Sequence, residues 1–217
     1  MYLTIRSPRF IQSQQEVPRI ETLTHRRLNP TVIADDQGQD QLDSDANDPG
    51  GSQKDLSGVR LFDDGNIGWT WGEPGFPSGA NSLDTCTYWN EGGDLTTTNV
   101  IVLCYSTQLQ TGGGGGGTVV SSVVVYECGD GYDAGLQKCG GNSAVSTRYT
   151  ATCDDPPEEV DPVFSGDNNK DFKVDCVLTA TGNAPPVDEL RYLNTCSKAS
   201  ESESSVSDDC AFADVGK

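Results

Sequence analysis

Two stretches of the chain alternate apolar and polar residues with a period of two. In Val145–Thr152 the side chains of Val145, Thr147, Tyr149 and Ala151 share one face, and Ser146, Arg148, Thr150 and Thr152 share the other. In Asp171–Thr181, Phe172, Val174, Cys176, Leu178 and Ala180 point one way, with Lys173, Asp175, Thr179 and Thr181 opposite. Alternation with one wet face is the mark of an antiparallel sheet packed on one side. Asn99–Thr107 (NVIVLCYST) is apolar on both faces through its middle, which predicts a central strand, and the β-branched run Thr118–Cys128 (TVVSSVVVYEC) predicts another. Val59–Phe62, Ile67–Trp71 and Thr85–Trp89 are shorter strand-like runs divided by Gly, Asn, Asp and Pro. Gly112–Gly117 reads as a loop, because consecutive glycines lose too much backbone entropy to be ordered inside an element. Helical character is confined to a turn near Val187–Arg191. Roughly seven to nine strands at this spacing predict a mostly β fold, an antiparallel β-sandwich.

The first 55 residues follow another pattern. Arg6, Arg9, Arg19, Arg26 and Arg27 make the first half basic, and Asp35, Asp36, Asp40, Asp43, Asp45 and Asp48 make the second half acidic. With no cysteine and no sustained periodicity, 1–55 reads as a poorly ordered leader ending near Pro49-Gly50-Gly51, with a short strand at Thr31–Ala34. The organisation expected is therefore leader 1–55, β module 56–212 and tail 213–217. Residues 1–20 hold no apolar run fit for a signal-peptide core, so the expectation is that the export signal lies upstream and the chain is a fragment. Nor is there a stretch of roughly 18–20 apolar residues that would span a membrane as a helix.

Composition sharpens the class. The formal charge is −19, from 33 acidic against 14 basic residues, which repels polyanions and argues against nucleic acid as a partner. Eight cysteines in 217 residues point to an oxidising compartment. No two are spaced CxxC and the one histidine, His25, lies far from any of them, which disfavours a zinc ribbon or a redox pair. Eight cysteines allow roughly a hundred connectivities. Local structure favours nearest neighbours: Cys86 with Cys104 across consecutive strands, Cys128 with Cys139 around a Gly/Asp loop, Cys153 with Cys176 on the two alternating strands. Cys196 with Cys210 would clamp a Ser/Glu/Asp tract, Ser197–Asp209, that has no core-forming residue except Val206.

The order of short signatures resembles a Cys-rich module of very large bacterial surface proteins that also carry conserved-repeat, immunoglobulin-like domains. The residues that carry the likeness begin with Trp69-Thr70-Trp71, Asp84-Thr85-Cys86 with Cys104, and Tyr126-Glu127-Cys128-Gly129-Asp130. Thr152-Cys153 with Asp175-Cys176 follow, then Asn194-Thr195-Cys196-Ser197 through Ser207-Asp208-Asp209-Cys210. The resemblance implies a β-rich, adhesin-like or matrix module of unassigned biochemistry, with neighbouring repeat domains or surface polymers as partners. It supplies no catalytic residues.

Three candidate sites stand out. Asp167, Asn169 and Asp171 place oxygen ligands at every second position, the spacing of the first half of a calcium loop. Phe172 stands where an EF-hand needs Gly, and Leu178 where it needs the bidentate Glu, so only a looser calcium loop is expected, with help from Asp161 or Asp175. Asn90, Glu91 and Asp94 form a weaker second set. Trp69 and Trp71 lie two apart on one strand face; with Tyr88 and Trp89, and flanked by Asp63, Asp64 and Glu73, they would make a sugar-stacking platform. The competing reading is that these tryptophans fill a sandwich core. No GxSxG or other nucleophile motif appears, and Asn29-Pro30-Thr31 is blocked as a sequon by its proline. The expectation is a non-enzymatic extracellular structural or adhesive module. A carbohydrate-binding module is the alternative, and an accessory domain of a secreted hydrolase comes third.

Overall fold

The computed structural model describes residues 31–35, 56–62, 66–71, 82–91, 99–111, 117–160, 171–198, 200, 202 and 210–212. The strands in chain order are β1 (Thr31–Asp35), β2 (Leu56–Leu61), β3 (Ile67–Trp71), β4 (Ser82–Asn90), β5 (Val100–Thr111), β6 (Gly117–Cys128) and β7 (Tyr132–Asp133). They continue with β8 (Lys138–Cys139), β9 (Ser143–Val145), β10 (Tyr149–Cys153), β11 (Glu158–Val160), β12 (Asp171–Ala180), β13 (Arg191–Cys196) and β14 (Cys210–Phe212). Among the described residues the helical content is one 3-10 turn, Val187–Glu189, where the sequence predicted a turn.

Two six-stranded antiparallel sheets result. Sheet A runs β1-β2-β3-β12, and the far side of β12 is shared by β10 and β11. Sheet B runs β14-β13-β4-β5-β6-β9. The short strand expected at Thr31–Ala34 is β1, paired to β2 at one edge of sheet A. The antiparallel sandwich follows from the alternation: Phe172, Val174, Cys176 and Leu178 of β12 are buried, as predicted for that face.

One expected strand is divided. Val145–Thr152 alternates as one continuous strand would, but β9 ends at Val145 in sheet B and β10 begins at Tyr149 in sheet A. The corner is a serine turn. Ser146 Oγ accepts from the backbone N–H of Arg148 (3.1 Å) and of Tyr149 (2.9 Å), while its own N–H goes to Val125 O (2.8 Å). Polar side chains at 146 and 148 mimic the wet face of a strand, so the period alone cannot reveal the crossing.

Between the sheets lies the main core. β3 contributes Ile67, Trp69 and Trp71, β4 Leu83 and Trp89, β5 Ile101, Leu103 and Tyr105, all buried. Trp69 Nε1 donates to Thr87 Oγ1 (3.0 Å) and Trp71 Nε1 to Asp84 O (3.2 Å), so both indoles of sheet A are tied to β4 of sheet B. Tyr105 packs 6.2 Å from Trp69 and 5.9 Å from Trp71, centroid to centroid.

The outer face of sheet B is also covered. Cys86, Tyr88, Val100, Val102, Cys104, Cys128 and Cys139 form a second buried cluster there. This is why β5 reads as apolar on both faces. The cover is the 129–142 loop, which carries the β7–β8 hairpin: Tyr132 lies 4.6 Å from Tyr88, and Tyr88 Oη donates to Gln137 O (2.9 Å).

Disulfides join Cys86–Cys104, Cys128–Cys139, Cys153–Cys176 and Cys196–Cys210, the nearest-neighbour set. Three of them link residues directly opposite on adjacent strands. Across sheet B the register aligns Cys210, Cys196, Cys86 and Cys104 in one row. The Cα separations of 4.2 Å (Cys196–Cys210) and 4.1 Å (Cys86–Cys104) are those of non-hydrogen-bonded pairs. Such pairs alternate with hydrogen-bonded ones along a row, so Cys196 and Cys86 face each other at the wider spacing, about 5.5 Å. The phase of the ladder thus selects the two bridges seen.

Candidate functional site

The residues singled out by the sequence do not gather in one place. Asp167 and Asn169 of the calcium candidate, with its helper Asp161, lie outside the described residues. Asp171 opens β12 opposite Val160 and is buried. Asp175, the other helper, accepts from Lys173 Nζ (2.9 Å) and stands 3.8 Å from Arg60. That contact depends on the row Arg60–Gly68–Asp175 across β2, β3 and β12, where glycine leaves room for the two charged side chains to meet. Among the described residues, no three His, Cys, Asp or Glu side chains converge in a metal-holding group.

The stacking platform is corrected. Trp69, Trp71 and Trp89 are 0%, 0% and 2% exposed, and Tyr88 is buried under the 129–142 loop. Alternation places the three tryptophans on the core face of β3 and β4 and Tyr88 on the outer face of β4, and on both faces burying such large apolar surface outweighs presenting it. Asp63, Asp64 and Glu73 are outside the described residues.

Of the second set, Asn90 is buried at the end of β4, Asp94 is outside the described residues, and Glu91 belongs to an arrangement the sequence did not suggest. Arg148, at the β9–β10 corner, reaches Glu91 Oε1 at 2.7 Å and Glu127 Oε2 at 2.8 Å. Its Nε also donates to Glu127 Oε2 (2.9 Å), and Ser146 Oγ donates to Glu127 Oε1 (2.6 Å). Burial works to raise the Glu127 pKa, but the hydrogen bonds from Arg148 and Ser146 outweigh it and hold the carboxyl below its usual range. The Arg148 pKa is raised, first by its bond to Glu127. Glu127 is thereby kept ionised, as the carboxylate that joins the corner at Arg148 to β6. The guanidinium also lies 5.7 Å from the centroid of the Tyr149 ring, whose hydroxyl donates to Pro185 O (3.0 Å).

A second polar group spans the sheets near their other contact. Ser121 Oγ of β6 lies 3.2 Å from Tyr105 Oη and 3.1 Å from Thr107 Oγ1, and donates to Asp155 Oδ1 (2.8 Å) in the break between β10 and β11. Burial raises the Tyr105 pKa to about 12, against the lowering effect of its hydroxyl neighbours. That leaves a phenol neutral at physiological pH.

The third group is Lys198, fully buried, whose Nζ donates to Gln137 O (3.0 Å) and Leu136 O (3.4 Å). Gln137 carries a positive φ of 49°, and its carbonyl receives both Lys198 and the Tyr88 hydroxyl. Asn194 Nδ2 donates to Tyr132 Oη from below (2.5 Å). Lysine and asparagine thus fix the loop over sheet B. In sequence Lys198 looks like a solvated cation in an acidic tract; its place two residues after a bridged cysteine is the signal that was available.

No known family model, curated protein or solved structure matches the chain. No helix among the described residues is long and apolar enough to cross a membrane.

Proposed function

We propose that this chain is a non-catalytic, extracellular structural or adhesive module of a surface or matrix protein. One observation carries the reading: the four disulfides, three stapling directly opposed strands and the fourth closing the loop that covers sheet B. With sequence separations of 18, 11, 23 and 14, each restricts the unfolded chain by about 3 kcal/mol on the loop-entropy account. Bridges of this kind persist in an oxidising compartment. The polar clusters give further support, because Arg148, Lys198 and the tryptophan N–H groups all tie one layer to another.

The partners proposed are neighbouring repeat domains or surface polymers, with acidity suited to cationic polymers or divalent cations. The test labels intact, unpermeabilised source cells with an antibody to the full chain, with thiol alkylation of the recovered protein. Surface labelling with every cysteine resistant to alkylation is expected. A cytosolic pool with free thiols would overturn the reading. Retention of the full oxidised chain on a glycan array would move it to the carbohydrate-binding alternative, through aromatic residues other than the buried tryptophans.

A further inference from the structure

The two sheets treat their edges differently. Where β10 gives way to β11, sheet A interposes Asp154, Asp155, Pro156 and Pro157, followed by Glu158 and Glu159 in β11. Charge and proline are the ordinary defences of an edge strand against pairing with another chain. On sheet B, β9 pairs only with Tyr126–Cys128 of β6. Beyond that point β6 reads Thr118-Val119-Val120-Ser121-Ser122-Val123-Val124-Val125, and the sequence holds no charged residue between Asp94 and Glu127.

The ladder phase shows what this edge offers. Cys104 is non-hydrogen-bonded to Cys86, so its peptide groups turn toward Val124 of β6. Stepping by two, Thr118, Val120, Ser122 and Val124 bond to β5, while Val119, Ser121, Val123 and Val125 turn their N–H and C=O groups away from it. The outward carbonyl of Val125 accepts from Ser146 N–H (2.8 Å), in keeping with that phase. At Val119, Ser121 and Val123 no strand among the described residues pairs with the outward side.

We propose that this edge is a self-association site, at which β6 pairs antiparallel with β6 of a second copy about a two-fold axis at Ser121. Such an axis perpendicular to the sheet keeps side chains on their own faces. Centred on Ser121, it sets Val119 opposite Val123 and Ser121 opposite Ser121, all residues with outward peptide groups, for six backbone hydrogen bonds. Centring on Ser122 would bring Val119 to Val125, whose carbonyl is already taken by Ser146. On the outer face Val120 meets Ser122, and Val120 is 40% exposed in the single chain. The register fits a second copy, because one strand turned about this axis meets its own outward groups in phase; two chains at −19 repel each other, and the uncharged β5–β6 hairpin is where that opposition is least. Asp155, bonded to Ser121, lies near the axis, so association strengthens as salt shortens the range of repulsion.

The full oxidised chain is examined by sedimentation velocity over a concentration series at low and high salt, beside Val123→Pro and Ser122→Asp. Val123→Pro deletes an N–H that bonds nothing within its own sheet, so folding is retained while the dimer loses two hydrogen bonds, about a thirtyfold weaker association constant. Ser122→Asp, on an exposed position, places carboxylates beside the axis, and high salt partly restores its pairing. A chain that stays monomeric at every concentration and salt overturns the proposal, as does a dimer that neither variant weakens. Slow amide exchange at Val119, Ser121 and Val123 in a monomer would mean the chain covers its own edge, and overturns it too. If Val123→Pro fails to fold, Ser122→Asp decides. The extracellular reading does not depend on the outcome.

Discussion

Replacing Arg148 with methionine keeps the aliphatic stem of the side chain and removes the charge that joins the β9–β10 corner to β4 and β6. Three short polar contacts disappear, at 2.7, 2.8 and 2.9 Å. The Glu91 side chain is 7% exposed and that of Glu127 27%, so both carboxylates stay near each other, short of solvent and of their cation. Breaking a buried pair costs about 3–5 kcal/mol, and an exposed pair contributes about 0.2–1. Arg148 is itself 36% exposed, which places the expected loss between these ranges, at about 2–3 kcal/mol near neutral pH. The pH dependence fixes the cause. Because the folded pKa of Glu127 lies below its usual 4.5, the stabilisation is complete above that value and is lost as pH falls through the folded one. In the variant the main lowering influence is gone, so its deficit is largest near neutrality and shrinks in acid, as the Glu127 carboxyl of the unsubstituted protein takes up its proton. Urea unfolding of the oxidised chain, followed by tryptophan fluorescence at about pH 7 and about pH 3.5, measures both deficits. Equal deficits at the two pH values, or a neutral loss below about 0.5 kcal/mol, would refute the reasoning. A cycle with Glu127→Gln should return a coupling of about 1–2 kcal/mol.

Full reduction removes four constraints of about 3 kcal/mol each, comparable to the whole net stability of a domain, so the reduced chain should unfold by circular dichroism at room temperature. Gly68→Ala drives a Cβ into the Asp175 carboxylate and against Arg60; a loss of about 1 kcal/mol in urea titration is expected, whereas alanine would stabilise an unobstructed strand. Lys198→Met should cost about 2 kcal/mol and speed proteolytic nicking of the 129–142 loop before global unfolding, because Gln137 and Leu136 lose their buried donor. In alkaline titration read by phenolate absorbance, Tyr105 should ionise near pH 12. Its stabilising neutral form is fully present below about pH 10 and is lost as pH rises through the folded value, so unfolding should accompany that step.

Much of the sandwich was legible because a strand with one wet face declares itself with a period of two. β12 shows this residue by residue, from Phe172 to Ala180. Disulfide pairing was legible too, since cysteines on consecutive antiparallel strands, such as Cys86 and Cys104, have few other partners within reach. The Trp69–Trp71 pair was legible as a shared face and ambiguous as to what that face meets. Spacing puts both rings on one side of β3 but does not say whether that side is core or solvent. The division of Val145–Thr152 was hidden because Ser146 and Arg148 satisfy the alternation while bonding across a corner. Lys198 was hidden by its Ser/Glu/Asp surroundings, which are polar in composition although its own side chain is buried.

The outer face of sheet B shows how a physical demand in the sequence can point to structure not directly seen there. Val100, Val102 and Cys104 of β5, with Tyr88 and Cys86 of β4, put apolar side chains on a face that a two-layer sandwich would leave wet. Leaving a Val or Tyr side chain exposed forgoes about 1.5–3 kcal/mol of transfer free energy each, so a third layer was required. Among the described residues, the short, glycine-rich loop tied by a bridge next to that face is 129–142, anchored through Cys128 at the end of β6. Its polar backbone cannot be buried unsatisfied, and that need is met from beneath by Tyr88 and Lys198, while Asn194 donates to the Tyr132 hydroxyl. The buried lysine is thus a consequence of covering an apolar face with a loop instead of a helix: a helix would bring its own internal hydrogen bonds, whereas a loop needs donors supplied by the sheet it covers.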